Sequence, residues 1–194
     1  MKVLVTGGAG FIGSNLVDRL IDNGCDVTII DNMSTGHKKN INKKAKFVLC
    51  DMFSDIKLLE ESMKGIEVVF HLAALARVQP SIENPLPFND ANITGTLNVL
   101  FAAHKAGVRR VVYSASSSAY GNAERMPQLE TDPTNPLSPY GLQKFVGEQY
   151  CKMFSEVYGL DTCSLRYFNV YGERMNFEGA YKTVVAVFTE QSLN

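Results

Sequence analysis

The sequence predicts an α/β protein with a doubly wound parallel sheet of about six strands, in the order 3-2-1-4-5-6. Three observations predict it. Short β-rich runs recur along the chain, helical stretches lie between them, and the first run ends in a glycine loop that opens a helix. Strands that alternate with helices in this way pair in parallel, and the connecting helices cover both faces of the sheet.

The strands are read at residues 3–6, 26–30, 46–50, 68–72, 110–114 and 162–168, where Val, Ile, Phe, Tyr and Thr cluster. A helix over 10–23 closes at Asn23-Gly24, and another over 91–105 closes at Gly107. A further helix opens at Ser138-Pro139, with the serine as N-cap and the proline at the first helical position. A last helical pattern covers 181–193. With no repeat, linker or low-complexity stretch, residues 1–194 read as one domain.

Composition narrows the function classes. The chain has 194 residues, 45% hydrophobic and 20% charged, enough for a sizeable core. Nineteen basic and 20 acidic residues give a net charge of -1 without a basic stripe, so nucleic acid is not an expected partner. No segment reaches the roughly 18 to 20 apolar residues that a membrane span needs. The start, MKVLVTGG, lacks the pattern of a signal peptide, and a cytoplasmic location is expected. Cys25, Cys50, Cys151 and Cys163 are scattered, so neither a metal site nor a disulfide framework is expected.

In VLVTGGAGFIGSNL a strand runs into Gly7, Gly10 and Gly13 and then into a helix with an apolar stripe of Phe11, Ile12, Leu16, Val17 and Leu20. Glycines here permit a tight turn and close backbone approach to a pyrophosphate, whose charge the helix N-terminus favours. This is a Rossmann-like dinucleotide fingerprint. Asp31 ends the second strand, where a carboxylate can accept from both ribose hydroxyls and would repel a 2'-phosphate, favouring NAD over NADP. A second reading stands beside it, in which Asp31 simply opens the turn Asp31-Asn32-Met33.

SPYGLQKF sets Tyr140 and Lys144 four apart, on one face of a helix. An isolated tyrosine titrates near 10, and a neighbouring ammonium stabilises phenolate and lowers that value. Y-x-x-x-K alone is a common surface pattern. Behind a dinucleotide fold whose fifth strand ends in the serine-rich SASSSAYG, a catalytic pair is the better reading.

With these motifs in place, the chain resembles the extended short-chain dehydrogenase/reductase family, specifically its nucleotide-sugar 4-epimerases acting on UDP-hexoses or UDP-N-acetylhexosamines. The resemblance rests on TGGAGFIGSNL, DNMSTG, HLAALARVQPSIENP, NITGTLNVL, YSASSSAYG, SPYGLQK and LRYFNVYGERM, all in family order. It implies NAD as a tightly held cofactor, a UDP-sugar as substrate and Tyr140 as the base at the sugar 4-hydroxyl. Lys144 would hold the nicotinamide ribose and lower the tyrosine pKa, and Ser116 would share the hydrogen bond on the sugar oxygen.

The same resemblance implies cofactor contacts from Gly7, Gly10, Phe11, Ile12 and Gly13, and from Asp31, Asn32, Ser34, Thr35 and Gly36. Asp51 and Met52 would touch adenine, Leu72, Ala73 and Ala74 would line the nucleotide, and Asn92 would support that loop. Tyr167, Phe168 and Val170 match positions near the nicotinamide, with core packing an equal reading for the apolar ones, and Ser114 is a further cofactor contact or simply a turn former. Ser117 and Asn169 join Ser116 on the substrate side. Homodimers of the family pair through helices corresponding to 88–106 and 138–158.

The serine run separates members of the family. Its dehydratases resemble one another in Thr-Asp-Glu at the place where this chain has Ser116, Ser117 and Ser118, and its decarboxylases keep the glutamate. Elimination without those acids would lose roughly 10² to 10⁴ in rate per group, so epimerisation at C4 is expected, with dehydratase or decarboxylase as the alternative. A non-catalytic NAD-binding regulator is a further alternative, one with no need of Tyr140 and Lys144. The small residues at 115–119 and the run GERMNFEGAY are closer to epimerases that accept N-acetylated sugars. The family also carries more than a hundred further residues that build most of the UDP pocket. This chain is therefore expected to bind NAD with little or no turnover.

Overall fold

A computed structural model of the protein describes residues 1–123 and 125–175, together with Phe188, Gln191 and Ser192. Apart from those three positions, the helical pattern read at 181–193 lies outside the described residues, as does most of GERMNFEGAY. The sheet has six parallel strands: β1 (Lys2–Thr6), β2 (Asp26–Asp31), β3 (Lys46–Leu49), β4 (Val68–His71), β5 (Arg110–Ser116) and β6 (Asp161–Tyr167). Their order is β3-β2-β1-β4-β5-β6, as expected. The register runs Val3 beside Val27 and Val68, and Val111 beside Thr162.

Alternation along β1 explains the two cores. Val3 and Val5 point to one face and pack with Val27, Ile29, Val17 and Leu20, the last two from helix α1 (Phe11–Asp22). Leu4 points to the other face and joins Ile30, Val69, Val111 and Tyr113. That second core is closed by α2 (Ile56–Ser62), by α5 (Gly95–Lys105) and by α6 (Pro139–Tyr158). Two short helices not read from the sequence, α3 (Val78–Glu83) and α4 (Pro85–Asn89), stand between β4 and α5.

The ends of α6 match the sequence reading. Ser138 Oγ accepts from the Gly141 amide at 3.1 Å, Pro139 opens the helix, and Gly159 closes it at φ 69°. The helix read over 91–105 begins differently: Asp90–Thr94 forms a π-helical segment that leads into α5. Strand order reverses between β1 and β4, and the crevice at such a switch point is where α/β sheets bind ligands.

Candidate cofactor and active site

The turn after β1 is built so that only glycine fits. Gly7 has φ +70°, and a Cβ there would lie 2.7 Å from the Ala73 nitrogen. A Cβ on Gly13 would collide with the Gly7 carbonyl, so α1 can start directly under the loop. Its N-cap, Gly10, offers no side chain, and the Ser14 amide is the first to reach an i−4 carbonyl. The earlier amides of the helix have no intrahelical partner and favour an anion.

These residues open onto a cleft of about 480 Å³ at the switch point. Of the residues read as cofactor contacts, Gly7, Gly10, Phe11, Ile12, Gly13, Asp31, Asn32, Ser34, Thr35, Asp51, Met52, Leu72, Ala73, Ala74 and Ser114 line it. So do Cys50, Phe53, Leu75, Ala76, Pro87 and Asp90, which sequence reasoning missed. Their place depends on how α4 and the π-helical segment fold over β3 and β4, which no local pattern encodes.

Asp31 is buried and forms the turn that the second reading described. Oδ1 accepts from the Met33 amide at 2.8 Å, which forms the turn, while Oδ2 accepts from the Ala9 amide at 3.0 Å, which anchors the carboxylate to the glycine loop. Gly36 does not line the cleft. It backs Asp31, and a Cβ at that position would lie 2.8 Å from Oδ1. The Asn32 amide donates to Asp51 at 2.8 Å. Burial works to raise the Asp51 pKa, but hydrogen bonds from Asn32, Phe53 and Ser54 outweigh it and hold the carboxyl below its ordinary range.

Behind the cleft lies a ring of buried polar groups. The amides of Leu72 and Ala73 donate to Thr6 Oγ1, each at 3.2 Å, and Thr6 Oγ1 is 2.7 Å from His71 Nδ1. His71 Nε2 is 2.9 Å from Thr96 Oγ1, which donates to the Asn92 carbonyl at 2.6 Å. The Asn92 side chain accepts from the Leu75 amide at 2.9 Å and donates to the Leu75 carbonyl at 3.0 Å and to Gln143 Oε1 at 3.1 Å. Asn92 thus supports the loop as expected, from behind the cleft wall. Thr6, His71, Thr96 and Gln143 were not singled out, because polar residues spread over four elements leave no periodic signal.

Tyr140 and Lys144 stand in the first turns of α6. The Tyr140 amide, which has no partner within the helix, donates to Ser81 Oγ at 3.1 Å. Close packing sets the height of α6: Cβ atoms on Gly141 and Gly147 would run into the Ser118 carbonyl and the Tyr113 hydroxyl. The Tyr140 side chain is thereby brought close enough to Ser116, at the end of β5, for the serine to influence its titration. Ser116 Oγ also accepts from the Ser118 amide and donates to Ser118 Oγ, both at 3.1 Å. Ser117 begins the turn Ser117–Ala119.

Burial is the main influence on both titrating groups. It raises the Tyr140 pKa above its ordinary value, and the Ser116 hydrogen bond pulls the other way. Lys144 is 3% exposed; burial pushes its amine down to about 7, opposed by Cys151 and Glu148. Its Nζ lies 4.5 Å from the Tyr113 ring centroid. The sequence led us to expect a tyrosine pKa lowered by the ammonium. Here Tyr140 is raised instead, because burial dominates and the amine sits over Tyr113.

The remaining expected residues lie at and just beyond the end of β6. Tyr167 ends β6 half-buried, Phe168 and Asn169 are exposed, and Val170 is half-buried; none of them lines the cleft. Arg166 ties β6 to α6 through Glu148, with Nε 2.9 Å from Oε1, and its guanidinium lies 4.5 Å from the Tyr120 ring. Beyond β6 the chain returns to α1: Asn15 donates to the Glu173 carbonyl at 2.9 Å and Arg174 pairs with Asp18.

A switch-point cleft behind a glycine loop, together with a tyrosine-lysine pair on the helix after β5, fits a dinucleotide-binding protein of the short-chain dehydrogenase/reductase class, although Tyr140 and Lys144, expected as cofactor contacts, do not line the cleft. The chain belongs to the NAD dependent epimerase/dehydratase family, whose model matches residues 3–194. It is 47% identical over 194 residues to a Methanocaldococcus jannaschii protein provisionally named a UDP-glucose 4-epimerase, covering 98% of this chain and 63% of that one. Among solved structures, it is similar to the UDP-N-acetylglucosamine 4-epimerase of Methanobrevibacter ruminantium M1 in complex with UDP-N-acetylmuramic acid. The identity is 42% and the TM-score 0.93, over 99% of this chain and 62% of that one. It is also similar to the UDP-glucose 4-epimerase of Thermotoga maritima with UDP-glucose, at 43% identity and TM-score 0.92, over 100% of this chain and 63% of that one. The chain therefore spans about three fifths of the length of these relatives. Among the described residues no helix is long and apolar enough to cross a membrane.

Proposed function

We propose that the switch-point cleft holds NAD and that the protein carrying these residues inverts a UDP-sugar at C4. The observation that carries this reading is the placement of Tyr140 in the first turn of α6, where Ser116 at the end of β5 influences its titration, with buried Lys144 one turn further along. The glycine loop suits a pyrophosphate because Gly7 and Gly13, where any Cβ would strike the backbone of Ala73 or Gly7, let the turn after β1 pack tightly under the start of α1. Asp31, fixed from both sides, would accept the ribose hydroxyls and repel a 2'-phosphate. Asp51 and Met52 would flank adenine, and Leu72, Ala73 and Ala74 the rest of the nucleotide.

NAD, when bound, would supply the hydride-transfer chemistry at C4 and add positive charge to the site. Tyr140 takes the proton of the sugar 4-hydroxyl and gives it back after the sugar ketone has turned over. Burial raises the Tyr140 pKa, so its work as a base requires positive charge beyond that of the Lys144 amine, which sits over Tyr113. Lys144 holds the nicotinamide ribose, and Ser116 holds the sugar oxygen. Ser117 and Asn169 would face the substrate, and Tyr167, Phe168 and Val170 the nicotinamide end.

Residues 116–118 are serines, which disfavours water elimination by a dehydratase mechanism. A purely regulatory NAD protein would leave Tyr140 and Lys144 without a task. We assign NAD binding to the domain formed by residues 1–194, and the UDP pocket in large part to the further length that the relatives carry. Exposed Phe101 on α5 and Leu142 and Val157 on α6 support pairing of two copies through these helices. Four free cysteines fit a reducing cytoplasm. The test is to incubate the whole protein with UDP-glucose and with UDP-N-acetylglucosamine and to resolve the 4-epimers. Inversion of either supports the reading, with the N-acetylated pair expected; conversion of neither by folded, NAD-loaded protein contradicts it.

A further inference from the structure

His71 belongs to neither the cleft lining nor the catalytic pair, yet it is fully buried at the carboxyl end of β4, with both ring nitrogens engaged. The protons in this ring can be assigned from its two ends. Thr96 gives its only hydroxyl proton to the Asn92 carbonyl, so it can only accept from His71, and Nε2 must carry hydrogen. At the other end, Thr6 Oγ1 accepts from the Ala73 amide and from the Leu72 amide, which it shares with the Thr6 carbonyl, so its own proton is left to point at Nδ1 and that nitrogen is bare. Both ends demand the same neutral tautomer. A doubly protonated ring would turn an N–H toward an oxygen that already accepts two amides. It would also place a charge near Lys144, whose positive charge acts with burial to push the His71 pKa down to about 3.

The groups joined by this ring all belong to the proposed site. One end holds the Leu72 and Ala73 amides, and the other leads through Asn92 to both polar atoms of the Leu75 backbone. Residues 72–75 form a wall of the cleft. From Asn92 the connection continues to Gln143, the neighbour of Lys144 on α6.

We propose that His71 is a positioning residue: a neutral, Nε2-protonated imidazole that bridges Thr6 to Thr96 and so holds the 72–75 wall in register with the helix carrying Tyr140 and Lys144. This rests on the reading of the cleft as the NAD site. Gln is the conservative replacement, because its amide offers an acceptor and a donor about as far apart as the two ring nitrogens; Leu offers neither.

The test has two arms. Nitrogen-15 NMR of the imidazole in the 194-residue chain at neutral pH should show Nε2 protonated and Nδ1 bare; the opposite tautomer or a charged ring would overturn the proposal. In the second arm, NAD binding is titrated. His71→Leu should weaken it by about 10-fold or more, through loss of buried polar partners, while His71→Gln should restore most of the affinity. If His71→Leu does not fold, Thr96→Val, which removes one hydroxyl, should show the same loss in smaller measure. Unchanged binding in His71→Leu, or in Thr96→Val where that variant stands in for it, or equal loss in the Gln and Leu variants, would overturn the proposal. Should the parent chain not bind NAD, the cofactor reading fails, and the tautomer alone then decides whether the ring is assigned correctly.

Discussion

At the scale of single residues, Tyr140 and Lys144 divide chemistry from binding. Tyr140→Phe keeps the ring and removes the proton carrier, so NAD affinity should stay nearly unchanged while reduction of NAD by UDP-sugar in the whole protein falls roughly 10² to 10⁴-fold. Absorbance of the reduced nicotinamide in single turnovers checks this. Lys144 carries a stability signature as well. Its folded pKa, about 7, lies below the unfolded value of 10.5, so the unfolded chain binds more protons between these limits and stability rises with pH across that window. Cys50 and Cys151, raised by burial to about 11 from 9.0, act in the opposite direction above pH 9. Between pH 7 and 9, therefore, the unfolding temperature should climb in the parent and climb less in Lys144→Met. Parallel curves would contradict the buried amine. The pair itself was legible as Y-x-x-x-K, and the serines as the end of a strand. That burial, rather than the ammonium, governs Tyr140 was not legible, because it depends on Gly141 and Gly147 letting α6 press onto β5.

At the scale of elements, α6 carries the site, and its entry is fixed by two hydroxyls. Ser138 caps Gly141 from within the chain, and Ser81 caps Tyr140 from α3. Ser138→Ala should cost about 1 kcal/mol, lowering the unfolding temperature by roughly 2–4 °C in a chain of this size. An unchanged melting curve would mean that the cap is replaced by solvent. The Ser138-Pro139 signal was readable because a cap is local. Ser81 was not, because α3 lies far away in sequence and is too short to show a period. The same distinction explains β5, which runs two residues beyond the expected 110–114, to Ser116: pairing with Arg166 and Tyr167 of β6 extends it through a polar stretch that local propensity reads as a turn. The π-helical segment Asp90–Thr94 likewise follows from tertiary contacts, since Asn92 and Thr96 both turn toward the buried ring.

At the scale of the whole molecule, the alternation of strands and helices implied a parallel sheet, and the glycine fingerprint of a Rossmann-like fold gave the strand order, whose reversal between β1 and β4 holds the cleft. Two features converge there: a loop that tolerates only glycine and a buried Asp31 held from two sides. Paired copies through α5 and α6 should sediment as a dimer, and mutation of exposed Leu142 to a charged residue should shift that equilibrium toward monomer. The central claim is that the cleft is an NAD site whose selectivity comes from Asp31. Isothermal titration of the folded 194-residue chain with NAD and with NADP tests it most directly. The expected result is one NAD bound per chain, with NADP at least about 10-fold weaker because its 2'-phosphate meets a fixed carboxylate. Binding of NADP as tight as that of NAD, or of neither, would contradict it.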